Sequence, residues 1–242
     1  FDYGTSFNPS AESLSLSVGS ANSSMAPEEN ETYEAGAKWS FFNERLMTEA
    51  AWFRTEKDNA HETDPTNSNN IVAAGNQVVK GVQFSVVGRL PEGMDIVAGY
   101  AYLDSAVIYS KFFPAAVGFP LANVPKQTFN LFVTHRLPWL INFGVGGNYV
   151  ASRTASSTVP YVPTSYGPAE TFAPGTAPCG ATAVKCYEVL STAMRQVPGY
   201  WVFNAMVRRP LTDRLELQAN VYNLLNRFYI DLPHPSHLIP GA

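Results

Sequence analysis

Apolar residues recur at every second position in most of this chain, and the segments that carry them are joined alternately by short and long connections. In residues 32–41, Tyr33, Ala35, Ala37 and Trp39 fall on one side, with Glu34, Gly36, Lys38 and Ser40 on the other. In residues 141–152, Ile141, Phe143, Val145, Gly147, Tyr149 and Ala151 oppose Asn142, Gly144, Gly146, Asn148 and Ser152. Leu215, Leu217, Ala219 and Val221 oppose Glu216, Gln218, Asn220 and Tyr222. Four further windows repeat the pattern: Val82–Phe84–Val86, Ile96–Ala98–Tyr100–Tyr102, Phe129–Leu131–Val133 and Trp201–Phe203–Ala205–Val207. Residues 46–53 follow it less cleanly, because Trp52 and Phe53 are adjacent. A helix requires apolar residues three and four apart, so this period specifies strands. Eight strands are expected, after a partial one at Phe1–Phe7.

The connections divide into two kinds. Residues 41–44, 90–93, 137–140 and 210–213 read as tight turns. Residues 8–31, 58–77, 105–126 and 154–196 read as long polar loops. Compact soluble domains seldom carry long structureless loops. Outer-membrane barrels have short turns at one end and long loops at the other. The polar face points the same way: it carries Gly, Asn, Gln and Ser, with few charges. Only 15% of the 242 residues are charged, well below an average soluble domain. No run approaches the roughly 18 apolar residues of a membrane helix, a test that strands escape. A net charge of -4 gives no footprint for nucleic acid. Trp39, Trp139, Tyr100, Tyr102, Tyr149 and Trp201 fall near strand ends, either as interfacial girdles or as ordinary core aromatics.

Motifs for covalent chemistry are missing. There is no phosphate-binding glycine loop, no Gly-x-Ser-x-Gly and no paired-Cys zinc pattern. The expectation is therefore a non-enzyme without a metal centre or cofactor. Cys179 and Cys186 are the only cysteines, read as a disulfide closing a small loop or as two free thiols. His234 and His237 form the one local histidine cluster, read as contacts to an anionic or metal-bearing ligand or as members of a proline-rich loop. Asp58, His61, Glu62 and Asp64 read as a solvated polar run. Lys111, Lys126 and Arg153 stand at loop edges, where cations attract an anionic solute or keep the surface soluble. Tyr109, Phe112, Phe113 and Phe119 make one outer loop unusually aromatic, fit for binding or for packing against neighbouring loops.

Taken in order, several segments resemble the barrel strands of TonB-dependent siderophore receptors. They are Asn30–Trp39, Phe53–Ala60, Lys80–Phe84, Ala98–Ser105, Val124–Phe129, Gly147–Arg153, Val197–Trp201 and Asn220–Tyr229. The closing His234-Pro235-Ser236-His237 with Pro240-Gly241 resembles the catecholate-type receptors of that family. The resemblance implies an all-β fold: the C-terminal antiparallel strands of a 22-stranded transmembrane β-barrel in the bacterial outer membrane. It also implies a plug energised by TonB and a ferric siderophore as the transported ligand. Candidate ligand contacts are Tyr109, Phe112, Phe113, Arg153, His234 and His237. The whole of residues 1–242 is expected to be one partial barrel domain of a monomeric receptor, surrounded by outer-membrane lipid. Both ends look cut, so the plug, the earlier strands and the final strand are expected to belong to the parent chain. The competing readings are a complete small barrel with a structural or adhesion role, and a secreted carbohydrate-binding β-sandwich.

Overall fold

The computed structural model describes residues 1–8, 26–64, 67–155, 161–163, 187–189, 196–233 and 238–240. Nine antiparallel strands form one sheet, each hydrogen-bonded to its neighbours in chain order. They are β1 (Asp2–Asn8), β2 (Glu28–Phe41), β3 (Leu46–Asp64), β4 (Asn67–Leu90), β5 (Met94–Ser110), β6 (Gln127–Arg136), β7 (Asn142–Val150), β8 (Tyr200–Thr212) and β9 (Leu215–Val221). β1 and β9 are the two edges of the sheet and do not pair with each other. A small barrel closed by these strands alone is thereby ruled out as an account of this arrangement.

Register carries the alternation from strand to strand. One row of facing residues reads Ala37, Ala50, Phe84, Tyr100, Phe129, Tyr149 and Trp201. Its neighbour on the opposite face reads Lys38, Glu49, Ser85, Gly99, Asn130, Asn148 and Val202. A slip of one residue would exchange these faces, so pairing and patterning specify each other. The apolar face is uncovered. Trp52, Val82, Phe84 and Trp201 keep 42–44% of their surface, and no second layer packs on them among the described residues. This removes the β-sandwich reading, whose apolar face would be buried between two sheets.

The register is sheared. The row through Ala37 lies four residues from the last pair of the β2–β3 hairpin (Phe41 with Leu46). It lies six from Leu90 with Met94, seven from Arg136 with Asn142, and eleven from Thr212 with Leu215. A shift of about two residues per hairpin, at ~3.3 Å per residue and ~4.8 Å between strands, corresponds to strands tilted by about 35–40°. Outer-membrane barrels tilt their strands by ~35–45°.

The short connections follow the expected pattern. Three of them place bulky residues at positive φ: Phe42 (54°), Glu92 (67°), and both Trp139 (61°) and Leu140 (60°). The long side differs in one place. Residues 58–77 are not a loop: β3 continues to Asp64 and β4 starts at Asn67, so a strand hairpin projects beyond the rest of the sheet. Its first arm carries Lys57, Asp58, Asn59, His61 and Glu62, broken only by Ala60, so no apolar alternation marks it as strand. Between β7 and β8, Arg153–Thr154 pairs with Gln196–Val197, and Tyr161–Pro163 with Tyr187–Val189.

Candidate functional site

Along the apolar face, depth is measured from the short turns. On β4, Leu90, Gly88, Val86, Phe84 and Val82 precede the first charge, Lys80; on β5, Met94 to Tyr102 precede Asp104. Nine residues at ~3.3 Å each, tilted as above, span about 23 Å, close to the ~25 Å apolar band of an outer-membrane barrel. The band stops abruptly. Tyr33, Arg54, Lys80 and Asp104 face one another in a single row above it. Lys80 Nζ sits 3.3 Å from Asp104 Oδ2, and Arg54 pairs with Glu56. At the upper edge stand Tyr33, Trp52, Tyr102, Tyr149 and Trp201; near the short turns stand Trp39, Phe41, Trp139 and Phe143. Trp139 keeps 80% of its surface, as an interfacial anchor does.

The opposite face is a polar wall. Lys38 Nζ lies 3.5 Å from Glu49 Oε1, Arg89 Nε 2.8 Å from Asp95 Oδ1, and Arg208 Nε 2.8 Å from Glu216 Oε2. A shallow recess of about 270 Å³ is lined by Glu49, Gln83, Ser85, Gly99, Thr128 and Asn130. Small residues keep this wall open. It suits contact with water or with a polar protein domain. Among the described residues no group of His, Cys, Asp and Glu is arranged to hold a metal.

The long-loop end is tied together by side chains. Glu62 Oε2 accepts the backbone N–H groups of Lys111 and Phe112, each at 3.1 Å, and so holds the loop after β5 to the β3–β4 hairpin. Ser110 Oγ accepts the Phe113 N–H at 2.9 Å. Asn76 Nδ2 donates to Asp58 Oδ1 at 2.6 Å. The run read as solvated thus has structural partners. Glu28 accepts from Lys57 Nζ (3.2 Å), the His61 N–H (3.3 Å) and Asn8 Nδ2 (3.4 Å). Burial pushes the Glu28 carboxyl up, but these hydrogen bonds and the Lys57 charge outweigh it and leave its pKa below the ordinary value of 4.5.

The candidate ligand residues separate into groups. Tyr109 is exposed at 53%, while Phe112 and Phe113 are half-buried in the loop that follows it. Lys111 Nζ lies 5.5 Å from the centre of the Phe112 ring. Arg153 is elsewhere in its role: it is 6% exposed. Its Nη2 donates to the carbonyl oxygens of Ile230 (3.2 Å) and Asp231, and its guanidinium lies 5.9 Å from the Tyr200 ring centre. Tyr200 OH donates to Asp231 Oδ1 at 3.2 Å, and the Tyr200 and Tyr229 rings are 4.5 Å apart. Arg153 therefore anchors the segment after β9 onto the start of β8. Sequence reasoning had no signal for this clasp, because its partners lie more than 70 residues away. His234, His237, Cys179 and Cys186 lie outside the described residues.

Residues 1–224 match the family described as TonB dependent receptor-like, beta-barrel. The "Probable TonB-dependent receptor BfrD" of Bordetella pertussis is 30% identical over 239 residues, covering 97% of this chain and 28% of that protein. The "Probable TonB-dependent siderophore receptor PiuA" of Acinetobacter baumannii is 30% identical over 257 residues, covering 98% of this chain and 30% of the relative. The chain thus spans less than a third of the length of these relatives. The crystal structure of the siderophore receptor PiuA from Acinetobacter baumannii superposes with a TM-score of 0.73 at 25% identity, over 99% of this chain and 31% of that one. The closed form of the ferric-catecholate import receptor Fiu from Escherichia coli K12 shares the fold, with a TM-score of 0.69 at 23% identity over 99% of this chain and 30% of that one.

Proposed function

Because the chain belongs to the TonB-dependent receptor-like β-barrel family of the bacterial outer membrane, we propose that it forms part of the barrel wall of a ferric siderophore receptor. The observation that carries this reading is the two-faced sheet. One face bears an apolar band of bilayer thickness, edged by aromatics and ended by charges. The other bears a polar wall fit to enclose a water-filled or plugged lumen. An open sheet edge is intolerable in lipid, so β1 and β9 are completed by strands of the parent receptor.

Residues 1–242 are a partial barrel domain in this reading, and a monomeric parent supplies the plug. The ferric siderophore is cargo rather than a resident cofactor. The chain's task is binding and passage without covalent chemistry, and energy reaches the plug through TonB. Tyr109, Phe112 and Phe113, with His234 and His237, are the ligand contacts at the outer mouth. Arg153 acts on the ligand only through the segment it holds. The His234-Pro235-Ser236-His237 segment, together with the name of one relative, the catecholate siderophore receptor Fiu of Escherichia coli, supports a catecholate among siderophores.

Growth of an iron-starved strain that carries the intact gene as its sole receptor tests this. Rescue by a defined ferric catecholate, lost when TonB is deleted, is the expected result. Growth indifferent to every siderophore supplied contradicts it.

A further inference from the structure

From the contacts of one carboxylate, we infer that Glu62 is a positioning residue for siderophore binding: it sets the posture of the outer loop that carries Phe112 and Phe113. The inference rests on the reading of those two rings as ligand contacts, and it adds a residue that acts through them without touching the ligand.

Glu62 lies on β3, opposite Val72 of β4, in the hairpin that projects past the rest of the sheet. Paired strands make that hairpin a stiff strut. Glu62 Oε2 accepts the N–H groups of Lys111 and Phe112, each at 3.1 Å, from 49 and 50 residues away. Two successive backbone N–H groups converging on one oxygen form a small anion-binding concavity, and a carboxylate bonds to it more strongly than a neutral acceptor does. Gly75, which pairs with Ala60 on β3 and Ser110 on β5, leaves room for this side chain. A Cβ at Gly75 would stand 2.9 Å from Glu62 Oε1.

The returning half of the loop is fastened by other means. The Gly118 N–H donates to the Val107 carbonyl at 2.9 Å, and the Val107 N–H donates to the Phe119 carbonyl at 3.0 Å. The Leu121 N–H donates to Ser105 Oγ at 3.1 Å, so this half lies along β5. Lys111 and Phe112 instead take their acceptor from the hairpin, and Glu62 supplies it. The pair it holds has a chemistry of its own. Lys111 Nζ stands 5.5 Å from the Phe112 ring centre, so a cation and an aromatic face are presented together. That combination suits a ligand that is both anionic and aromatic, as a catecholate is. Fixing the pair before the ligand arrives removes an ordering cost from binding, so the effect of Glu62 falls on affinity.

The test measures uptake by cells whose sole receptor is the full-length protein. The probe is ferric dihydroxybenzoate, an iron(III) catecholate, with radiolabelled iron. Glu62→Ala should raise the half-saturating concentration at least about fivefold and leave the maximal rate near the parent's, because lost pre-ordering weakens binding. A merely structural role would do the reverse, lowering the maximal rate through loss of folded receptor. Glu62→Gln, whose amide oxygen can accept the same two N–H groups, should recover most of the affinity. Hydrogen exchange should be faster in Glu62→Ala over residues 111–113 and parental at Val107. Added to Phe112→Ala/Phe113→Ala, Glu62→Ala should change little further, since it acts through those rings. An unchanged half-saturating concentration in Glu62→Ala overturns the inference. A lowered one also overturns it, and would make Glu62 a competitor of the ligand's own anion. If instead Phe112→Ala/Phe113→Ala takes up the probe like the parent, the ligand-contact reading itself falls, and this inference with it. Heat-dependent gel mobility checks folding; a Glu62→Ala that misfolds is replaced by Glu62→Asp, one methylene too short to reach, for which the same rise is expected.

Discussion

Single side chains at the loop end hold distant segments together, and two of them give measurable expectations. Glu28 ties β2 to Lys57 and to the His61 amide. Its folded pKa is lowered, so its stabilising contribution is fully present above 4.5 and is lost as the pH falls from there through the folded value. Amide exchange at His61 in the full receptor should therefore be slower in the parent than in Glu28→Gln at neutral pH. The difference should vanish in acid; a difference that is constant with pH would show that the carboxylate is not the group responsible. Arg153 is the second case. Arg153→Ala leaves two carbonyls without their charged donor, and it should destabilise the receptor by about 1–3 kcal/mol. Thermal melting without ligand reads this directly. An unchanged melt accompanied by weakened siderophore binding would instead make Arg153 a direct contact.

Elements show what period-2 patterning does and does not reveal. Within the apolar band each strand has one face in lipid and one on polar surroundings, so alternation is strong and the faces of β2, β5, β7 and β8 are legible from residues alone. Above the band polar residues fall on both faces of β3. The same backbone then carries Lys57, Asp58, Asn59, His61 and Glu62 without alternation, and a strand hairpin reads as a loop. The clasp of Arg153 was equally illegible, because its hydrogen-bond partners are backbone carbonyls brought close in space rather than neighbours in sequence. At Gly88 the backbone explains the residue: φ is 155°, and a Cβ would collide with the Arg45 carbonyl oxygen. That carbonyl accepts the Arg89 N–H at 2.7 Å, so it cannot easily move. Gly88→Ala should cost on the order of 1–3 kcal/mol in strain and slow assembly. A lower yield of the heat-modifiable folded form on gels is expected, while parental yield would show that the β3–β4 contact relaxes freely.

At the scale of the whole molecule, one number decides which environment surrounds the sheet. A cation at mid-band on the lipid side costs about 2–4 kcal/mol, whereas the lumen side tolerates it. Leu131 and Asn130 are adjacent on β6 and face opposite ways, in rows with Ala98 and Gly99 respectively. Leu131→Lys should strongly reduce folded receptor in the membrane, and Asn130→Lys should leave it near parental levels. The tilt, the thickness of the band and the edge aromatics all follow from the same placement. The most direct test is a cysteine scan along β6, from Gln127 to Arg136, in the full receptor in membranes with Cys179 and Cys186 replaced by serine. A membrane-impermeant thiol reagent should label positions 128, 130, 132 and 134 and spare 129, 131 and 133. Equal labelling of both sets, or the opposite pattern, would contradict a wall with lipid on one side and an aqueous lumen on the other.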